Sequence, residues 1–161
     1  MATAEQHQIF PHFFEGKLLQ PRTTAVMLLT LSKIVGSRFY IPPNTLKKIV
    51  AARDPVITSG GDYLRFEGFS ACCSAYARVD LNPDGFKGDF VTSGTTNVDF
   101  NQPMRAALAV IRDEDNLSLS VGTEKFSMKT ENREVTERKV QLPLRWLKGF
   151  VEVQSYQSQM E

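Results

Sequence analysis

The chain has 161 residues, of which 42% are hydrophobic and 23% are charged, as expected for one globular domain with its own core. The formal net charge is only +1, so no strong overall field draws the protein to nucleic acid. The charge is uneven, however: residues 1–60 carry a net +4 and residues 61–161 a net −3, which indicates a weakly basic face. No apolar run of about 18 residues is present, so no membrane contact is expected.

Residues 1–38 are predicted to form an N-terminal arm and a helix that pack on the domain. The first seven residues are too polar for a signal peptide, which favours a cytoplasmic protein. Three phenylalanines within residues 10–14 are too apolar to stay in water. A helix is then expected from a cap at Thr23 or Thr24 to about Val35, with Gly36 as its stop.

The next segment is predicted to alternate strands with one helix. A short strand over 39–41 precedes Pro42, and Asn44 or Thr45 caps a helix that ends at Asp54. Residues 56–67 indicate strand, turn and strand, and residues 75–81 alternate as a half-buried strand. The glycine-rich stretch 82–94 is predicted to be a loop.

The following segment repeats this plan. Alternation over 96–100 predicts a strand, and Asn101 caps a helix with Pro103 near its start. Residues 117–121 and 125–129 are expected to form a hairpin, and 135–142 the last long strand. Residues 143–154 are predicted to form a helical turn and an extended segment, followed by a frayed tail at 155–161.

The sequence repeats itself once, at an offset of 61 residues. Residues 54–57 align with 115–118, and residues 79–81 align with 140–142. The repeat predicts one duplicated α+β domain over residues 39–154, with halves at about 39–94 and 95–154. Each half is a strand, a helix and three strands, with the helices on one side of a curved, largely antiparallel sheet. The expected core residues are Ile49, Val50, Phe66, Val79, Leu108, Ile111, Leu119, Phe126, Val140 and Leu142.

Few residues could support catalysis. The only cysteines are the neighbours Cys72 and Cys73, and both histidines, His7 and His12, lie in the N-terminal arm. Two cysteines cannot complete a tetrahedral zinc site, and we expect them to be structural. A nucleophile–histidine pair would require the arm to cross the domain. The sequence therefore predicts no enzyme activity, no cofactor and no metal.

The order of elements resembles one domain of a DNA polymerase processivity clamp, the sliding-clamp fold. The resemblance covers roughly residues 39–142. In such clamps the helices line a ring and direct basic residues toward DNA. The resemblance implies nucleic-acid contacts at Lys47, Lys48, Arg105 and Arg112, although Asp113, Glu114 and Asp115 follow Arg112 directly.

Five strings resemble the region that precedes the zinc finger in bacterial SWIM zinc-finger proteins. They are FFEG at 13–16, SRFY at 37–40, LRFEGFS at 64–70, GTTNVDFN at 94–101 and LPLRWLKGF at 142–150. The resemblance implies DNA or protein binding and work alongside an AAA-type ATPase of the MoxR class. The zinc finger requires Cys-x-Cys and then Cys-x-His, which this chain lacks, so no metal role is implied.

Two functional hypotheses follow. One is a clamp-like module that self-assembles through sheet edges and contacts duplex DNA without sequence preference. The other is a protein-binding adaptor that never touches DNA. Trp146 and Phe150 are four residues apart on an amphipathic piece and could bind a partner, but packing into the core is the commoner role of such a pair.

Overall fold

The computed structural model describes residues 12–37, 54–90, 92–140, 142 and 144–160. The first unit comprises β1 (His12–Leu18), α1 (Pro21–Val35), β2 (Val56–Ser59), β3 (Leu64–Phe69) and β4 (Tyr76–Leu81). A 3₁₀ turn (Pro83–Gly85) and β5 (Phe86–Phe90) lead to the second unit, which comprises β6 (Gly94–Asn97), α2 (Gln102–Ala109), β7 (Ser118–Gly122), β8 (Lys125–Lys129) and β9 (Glu134–Arg138). Helix α3 (Leu144–Met160) follows. The predicted strand at 39–41, the helix after Asn44, and Ile49 and Val50 lie outside the described residues.

Two antiparallel sheets form the body of the protein. Their strand orders are β5-β1-β7-β8-β9 and β4-β3-β2-β6. The order of strand, helix and three strands therefore occurs twice, and the predicted α+β class with antiparallel sheets is confirmed. The prediction of one sheet per half was wrong, since each unit gives its first strand to the sheet of the other. Residues 118–122 and 125–129 form the predicted hairpin.

The N-terminal residues are an integral part of a sheet. Strand β1 lies between β5 and β7, where Gly16 is opposite both Gly88 and Leu119. Its alternation buries Phe14, Gly16 and Leu18, the pattern of a half-buried strand. Helix α1 begins at Pro21 with no cap at Thr23 or Thr24. The prediction of an appended arm was therefore wrong for the described part of residues 1–38, which contains the first strand and helix of the first unit.

Two further segments are more regular than predicted. The expected loop at 82–94 contains β5, because Phe86 and Phe90 pack on Phe14 with ring centroids 4.8 and 5.3 Å apart. The C-terminal piece is one 17-residue helix in place of a turn, an extended segment and a frayed tail. Gly149 does not interrupt this helix; its bare backbone lets α3 lie against the ring of Phe69.

The core lies between the sheets and the helices. The rings of Phe66, Phe100 and Phe126 contact one another with centroids 5.6–6.5 Å apart. Helix α1 packs on β3, β4 and α2, and α2 also packs on β9. Among the expected core residues, Phe66, Leu108, Ile111, Leu119 and Phe126 are buried, whereas Val79, Val140 and Leu142 are half-buried because they lie at or beyond the outer strands.

Candidate interaction surfaces

Helices α1 and α2, which we call the helix pair, form a basic but partly apolar surface. Arg22 and Lys33 are exposed on α1, and Arg105 is half-buried on α2. Neither helix contains an aspartate or a glutamate. Between these cations α1 exposes Val26 and Met27, with 53% and 36% of their surface accessible. The surface can attract an anion, but it offers few direct charge contacts.

The predicted basic set does not lie on one helical face. Arg105 directs Nη1 to the carbonyl oxygen of Phe100 at 3.1 Å. Arg112 lies beyond the end of α2 and is 68% exposed, with its guanidinium 3.4 Å from Glu114 and 3.8 Å from Asp115. These carboxylates compete with any phosphate for Arg112. The prediction that Arg105 and Arg112 share one helical face was wrong, because α2 ends before Arg112. Lys47 and Lys48 lie outside the described residues.

The aromatic pair on α3 faces inward. Trp146 is fully buried, and its ring centroid lies 5.9 Å from that of Phe69. Phe150 is half-buried and lies 5.2 Å from the same ring. Trp146 therefore belongs to the core and offers no surface to a partner.

The residues with catalytic potential lie on different elements. Cys72 and Cys73 occupy the turn between β3 and β4, where Ser70 Oγ accepts the N–H groups of Ser74 and Ala75. Cys73 is exposed and has a φ of 57°. His12 lies on β1, with Nδ1 3.3 Å from Ser120 Oγ. His7 lies outside the described residues.

A groove of about 610 Å³ lies beside β6, an outer strand whose C-terminal end is bridged by Lys139 and Val140. The carbonyl oxygen of Asn97 accepts the N–H of Val140 at 2.8 Å and so points away from β2. Because backbone groups alternate along a strand, the N–H and C=O of Thr95 point to the same side. We call this site the β6 groove; its lining comprises Val56, Thr95, Thr96, Asn97, Glu124, Lys139, Val140 and Leu142.

The β6 groove combines apolar, polar and charged side chains. Val56 is buried, Val140 and Leu142 are half-buried, and together they give the groove an apolar part. At its rim Lys139 Nζ lies 3.9 Å from Glu124. Asn97 Oδ1 is buried and has no hydrogen-bond partner among the described residues. Sequence reasoning missed this site, because it forms only when β6 and the end of β9 meet.

Three carboxyl groups, which we call the carboxyl cluster, lie where the two units join. Asp54 precedes β2 and is 8% exposed, Glu137 lies on β9 and is 4% exposed, and Asp99 lies between β6 and α2. Burial, and then the charge of Asp99, raise the pKa of both Asp54 and Glu137 to about 7. Asp54 and Asp99 are the neighbours of Pro55 and Val98, which are joined by a backbone hydrogen bond, so the two carboxyl groups lie on facing segments.

The carboxyl cluster also involves the start of α2. Asn101 precedes this helix as predicted, but its side chain makes no capping bond. Its Nδ2 instead donates to Glu137 Oε2 at 2.8 Å, while Glu137 Oε1 has no partner among the described residues. Within the described ranges no group of three or more His, Cys, Asp or Glu side chains is arranged to hold a metal ion. No helix in the same ranges is long and apolar enough to cross a membrane.

The protein has the fold of a sliding-clamp domain. It is similar to a DnaN sliding clamp (DNA polymerase III subunit beta) from Pseudomonas aeruginosa bound to griselimycin, with a TM-score of 0.50 and 12% identity over 79% of this chain and 30% of that chain. It is also similar to DNA polymerase III subunit beta from Borrelia burgdorferi in complex with a natural product, with a TM-score of 0.48 and 11% identity over 83% and 31% of the two chains.

The chain thus spans less than a third of the clamp subunits that it matches. No family model matches the chain, and no curated protein matches it. The likeness confirms the clamp-like architecture and nothing finer at this identity. The resemblance to SWIM zinc-finger proteins has no support beyond the short strings of sequence.

Proposed function

We propose that the protein is a non-catalytic interaction module that binds an extended peptide segment of a protein partner in the β6 groove. The observation that carries the proposal is the edge of β6 at Thr95, whose backbone groups face a groove with an apolar part, whereas Asn97 and Val98 beyond it already pair with residues 139–140. Extended peptides bind such edges by adding a strand, and side-chain pockets beside the edge supply selectivity. The clamp-like fold supports an interaction role and not a catalytic one.

The partner expected from this groove is an extended segment with an apolar side chain and a polar or charged neighbour. Val56, Val140 and Leu142 suit the apolar side chain, and Lys139 and Glu124 at the rim suit the charged one. The resemblance to SWIM zinc-finger proteins nominates a MoxR-type ATPase as one partner to test. A purified ATPase of this type should bind the wild-type protein and lose binding when the groove is filled.

A random decapeptide library displayed on phage is a suitable probe for the groove. We expect enriched peptides whose affinity falls at least about tenfold in Val140→Arg, which fills the groove. The matched control is Thr136→Arg on the same segment, because Thr136 is exposed and its hydroxyl bonds to Ser127 outside the groove. Equal loss in both variants, or enriched peptides that ignore Val140→Arg, would show that the groove is not the binding site.

Weak contact with duplex DNA is a second candidate function. The observation that favours it is the helix pair, which carries Arg22, Lys33 and Arg105 and no carboxylate. Such binding would be independent of sequence and would weaken steeply with salt. In fluorescence anisotropy with a labelled duplex at low salt, Arg22→Glu with Lys33→Glu should abolish binding. Arg112→Glu is the control, since Glu114 and Asp115 already neutralise Arg112; no wild-type binding would eliminate this function.

Self-assembly is the remaining part of the clamp hypothesis. Besides β6, strands β4, β5 and β9 are the outer strands of the two sheets, and outer strands are natural pairing surfaces. Because the chain matches less than a third of a clamp subunit, a ring would require several copies. Light scattering in solution distinguishes the cases: a discrete oligomer supports the ring, and a monomer supports the peptide-binding adaptor.

A further inference from the structure

The two units meet at two equivalent joints. At the first joint the N–H of Val98 donates to Pro55 O at 3.2 Å, and beside it, within the second unit, the N–H of Val140 donates to Asn97 O at 2.8 Å. At the second joint the N–H of Leu18 donates to Leu117 O at 2.8 Å. Val98 follows β6 and Leu18 ends β1, and these are the first strands of their units. The Val98–Pro55 and Leu18–Leu117 bonds therefore occupy corresponding positions in the repeat.

Only the first joint is surrounded by buried carboxyl groups. Asp54 directly precedes Pro55, Asp99 directly follows Val98, and Glu137 lies three residues before Val140. At the second joint Leu19 follows Leu18 and is 46% exposed. The acidic residue nearest to Leu117, Asp115, instead accepts the N–H of Arg112 at 2.7 Å. The carboxyl cluster is therefore a property of one joint and not of the fold.

Asp54 and Asp99 lie on facing segments, because the N–H of Val98 donates to Pro55 O, and two ionised carboxylates have no donor to offer each other. The nearby cations do not neutralise the cluster: Lys139 pairs with Glu124 at the groove rim, and Arg105 donates to Phe100 O. Glu137 receives one hydrogen bond, from Asn101, and is the second buried acid beside Asp54, whereas Asp99 is half-buried. Ionising this set places like charges in an environment of low dielectric, where they repel strongly.

We propose that the carboxyl cluster is a proton-operated latch, which holds the first joint closed when it is protonated and loosens that joint when it ionises. The second joint, without the cluster, stays closed in both states. The raised pKa values of Asp54 and Glu137 place the transition near neutral pH. The latch combines a carboxyl set that can bind a proton with two backbone hydrogen bonds, of which Val98–Pro55 joins the two units and Val140–Asn97 joins the ends of strands from the two sheets. The latch does not depend on any partner of the protein.

Amide hydrogen exchange measured by NMR tests the latch in the intact protein. After correction for the intrinsic exchange rate, protection of the Val98 and Val140 amides should fall about tenfold from about pH 6 to about pH 8. Protection of the Leu18 amide should stay constant over the same range. Protection at Val98 and Val140 that does not depend on pH would overturn the proposal, and so would a parallel fall at Leu18, since that reports loss of the whole fold.

Asp54→Asn supplies the matched variant, because an amide keeps a donor toward Asp99 without ionising. In this variant Val98 and Val140 should remain protected at about pH 8, and their dependence on pH should disappear. If the variant does not fold, the ¹³C carboxyl resonances of the wild-type protein give the answer. Asp54 and Glu137 should titrate near neutral pH, and titration of both in the ordinary range of exposed carboxyls would refute the latch.

Discussion

The ring of Phe13 fills the space that a side chain at Gly94 would occupy. Phe13 lies on β1 and is 7% exposed, and Gly94 is the first residue of β6. The contact therefore joins the first strands of the two units, each of which belongs to the sheet of the other unit. Glycine at position 94 is required by this close approach and not by an unusual backbone angle.

Gly94→Ala should destabilise the protein by about 1–3 kcal/mol, because the new methyl group forces the buried ring of Phe13 out of its place. The free energy of unfolding in urea measures the effect. Gly85→Ala is the control, since no atom lies within 4 Å of the position that its Cβ would take. Equal stability of the two variants would mean that Phe13 moves aside freely.

Stability should decrease as the pH rises from acid to neutral. Asp54 and Glu137 have folded pKa values near 7, raised from ordinary values of 3.8 and 4.5, so the folded state holds protons that the unfolded state releases. The stabilisation is complete below about pH 4 and is lost as the pH passes through about 7. Two such groups, each losing about 1.4 kcal/mol per pH unit over about two units, set an upper limit of about 5 kcal/mol on the loss between about pH 5 and about pH 8 in urea unfolding. Asp54→Asn with Glu137→Gln should flatten this profile.

Asp80 should contribute measurably to the polar face of β3 and β4. It accepts two hydrogen bonds from Arg65, at 2.8 and 3.0 Å. Such a two-bond contact between arginine and a carboxylate is stronger than a single exposed hydrogen bond. Burial of about three quarters of both side chains protects the pair from solvent. Asp80→Asn should reduce the free energy of unfolding by about 1 kcal/mol. Glu124→Gln should have no effect, since its contact with Lys139 is long and exposed.

Trp146 should anchor α3 to the domain. Trp146→Ala removes a fully buried ring and should destabilise the protein by about 3–5 kcal/mol, as expected for a large core truncation. Leu147→Ala on the same helix should change stability by less than about 1 kcal/mol, because Leu147 is 48% exposed. Urea unfolding followed by circular dichroism measures both, and a small effect of Trp146→Ala would show that α3 docks through other residues.

The parts of the fold with strong local patterns were predictable from sequence. Residues 118–129 alternate cleanly on both sides of a short turn, and they form the predicted hairpin. Asn101 and Pro103 mark the start of α2, because both residue types favour the N-terminal end of a helix whatever surrounds it. In contrast, Gly149 and the β-branched residues at 151 and 153 favoured an extended C-terminal segment, and packing of Trp146 on Phe69 overrides that preference.

The long-range relationships were not predictable. Nothing in residues 12–18 indicates that they pair with residues 118–122, more than a hundred positions away. The β6 groove and the carboxyl cluster share this difficulty. Asp54 was visible in the repeat, and Glu137 in a strand pattern, but no local rule brings them together. The prediction for Arg112 was wrong for a local reason, since α2 ends before it and its guanidinium pairs with Glu114 and Asp115.

The reciprocal placement of β1 and β6 has a consequence for the origin of the molecule. A single unit, taken alone, keeps three strands of one sheet and has a first strand with no sheet to join. Two separate copies would complete each other by exchanging these strands, as in a swapped homodimer. The present chain has the topology of such a dimer fused head to tail through residues 82–93, which include β5. Severing the chain between β5 and β6 should therefore yield two fragments that are unfolded apart and regain structure on mixing.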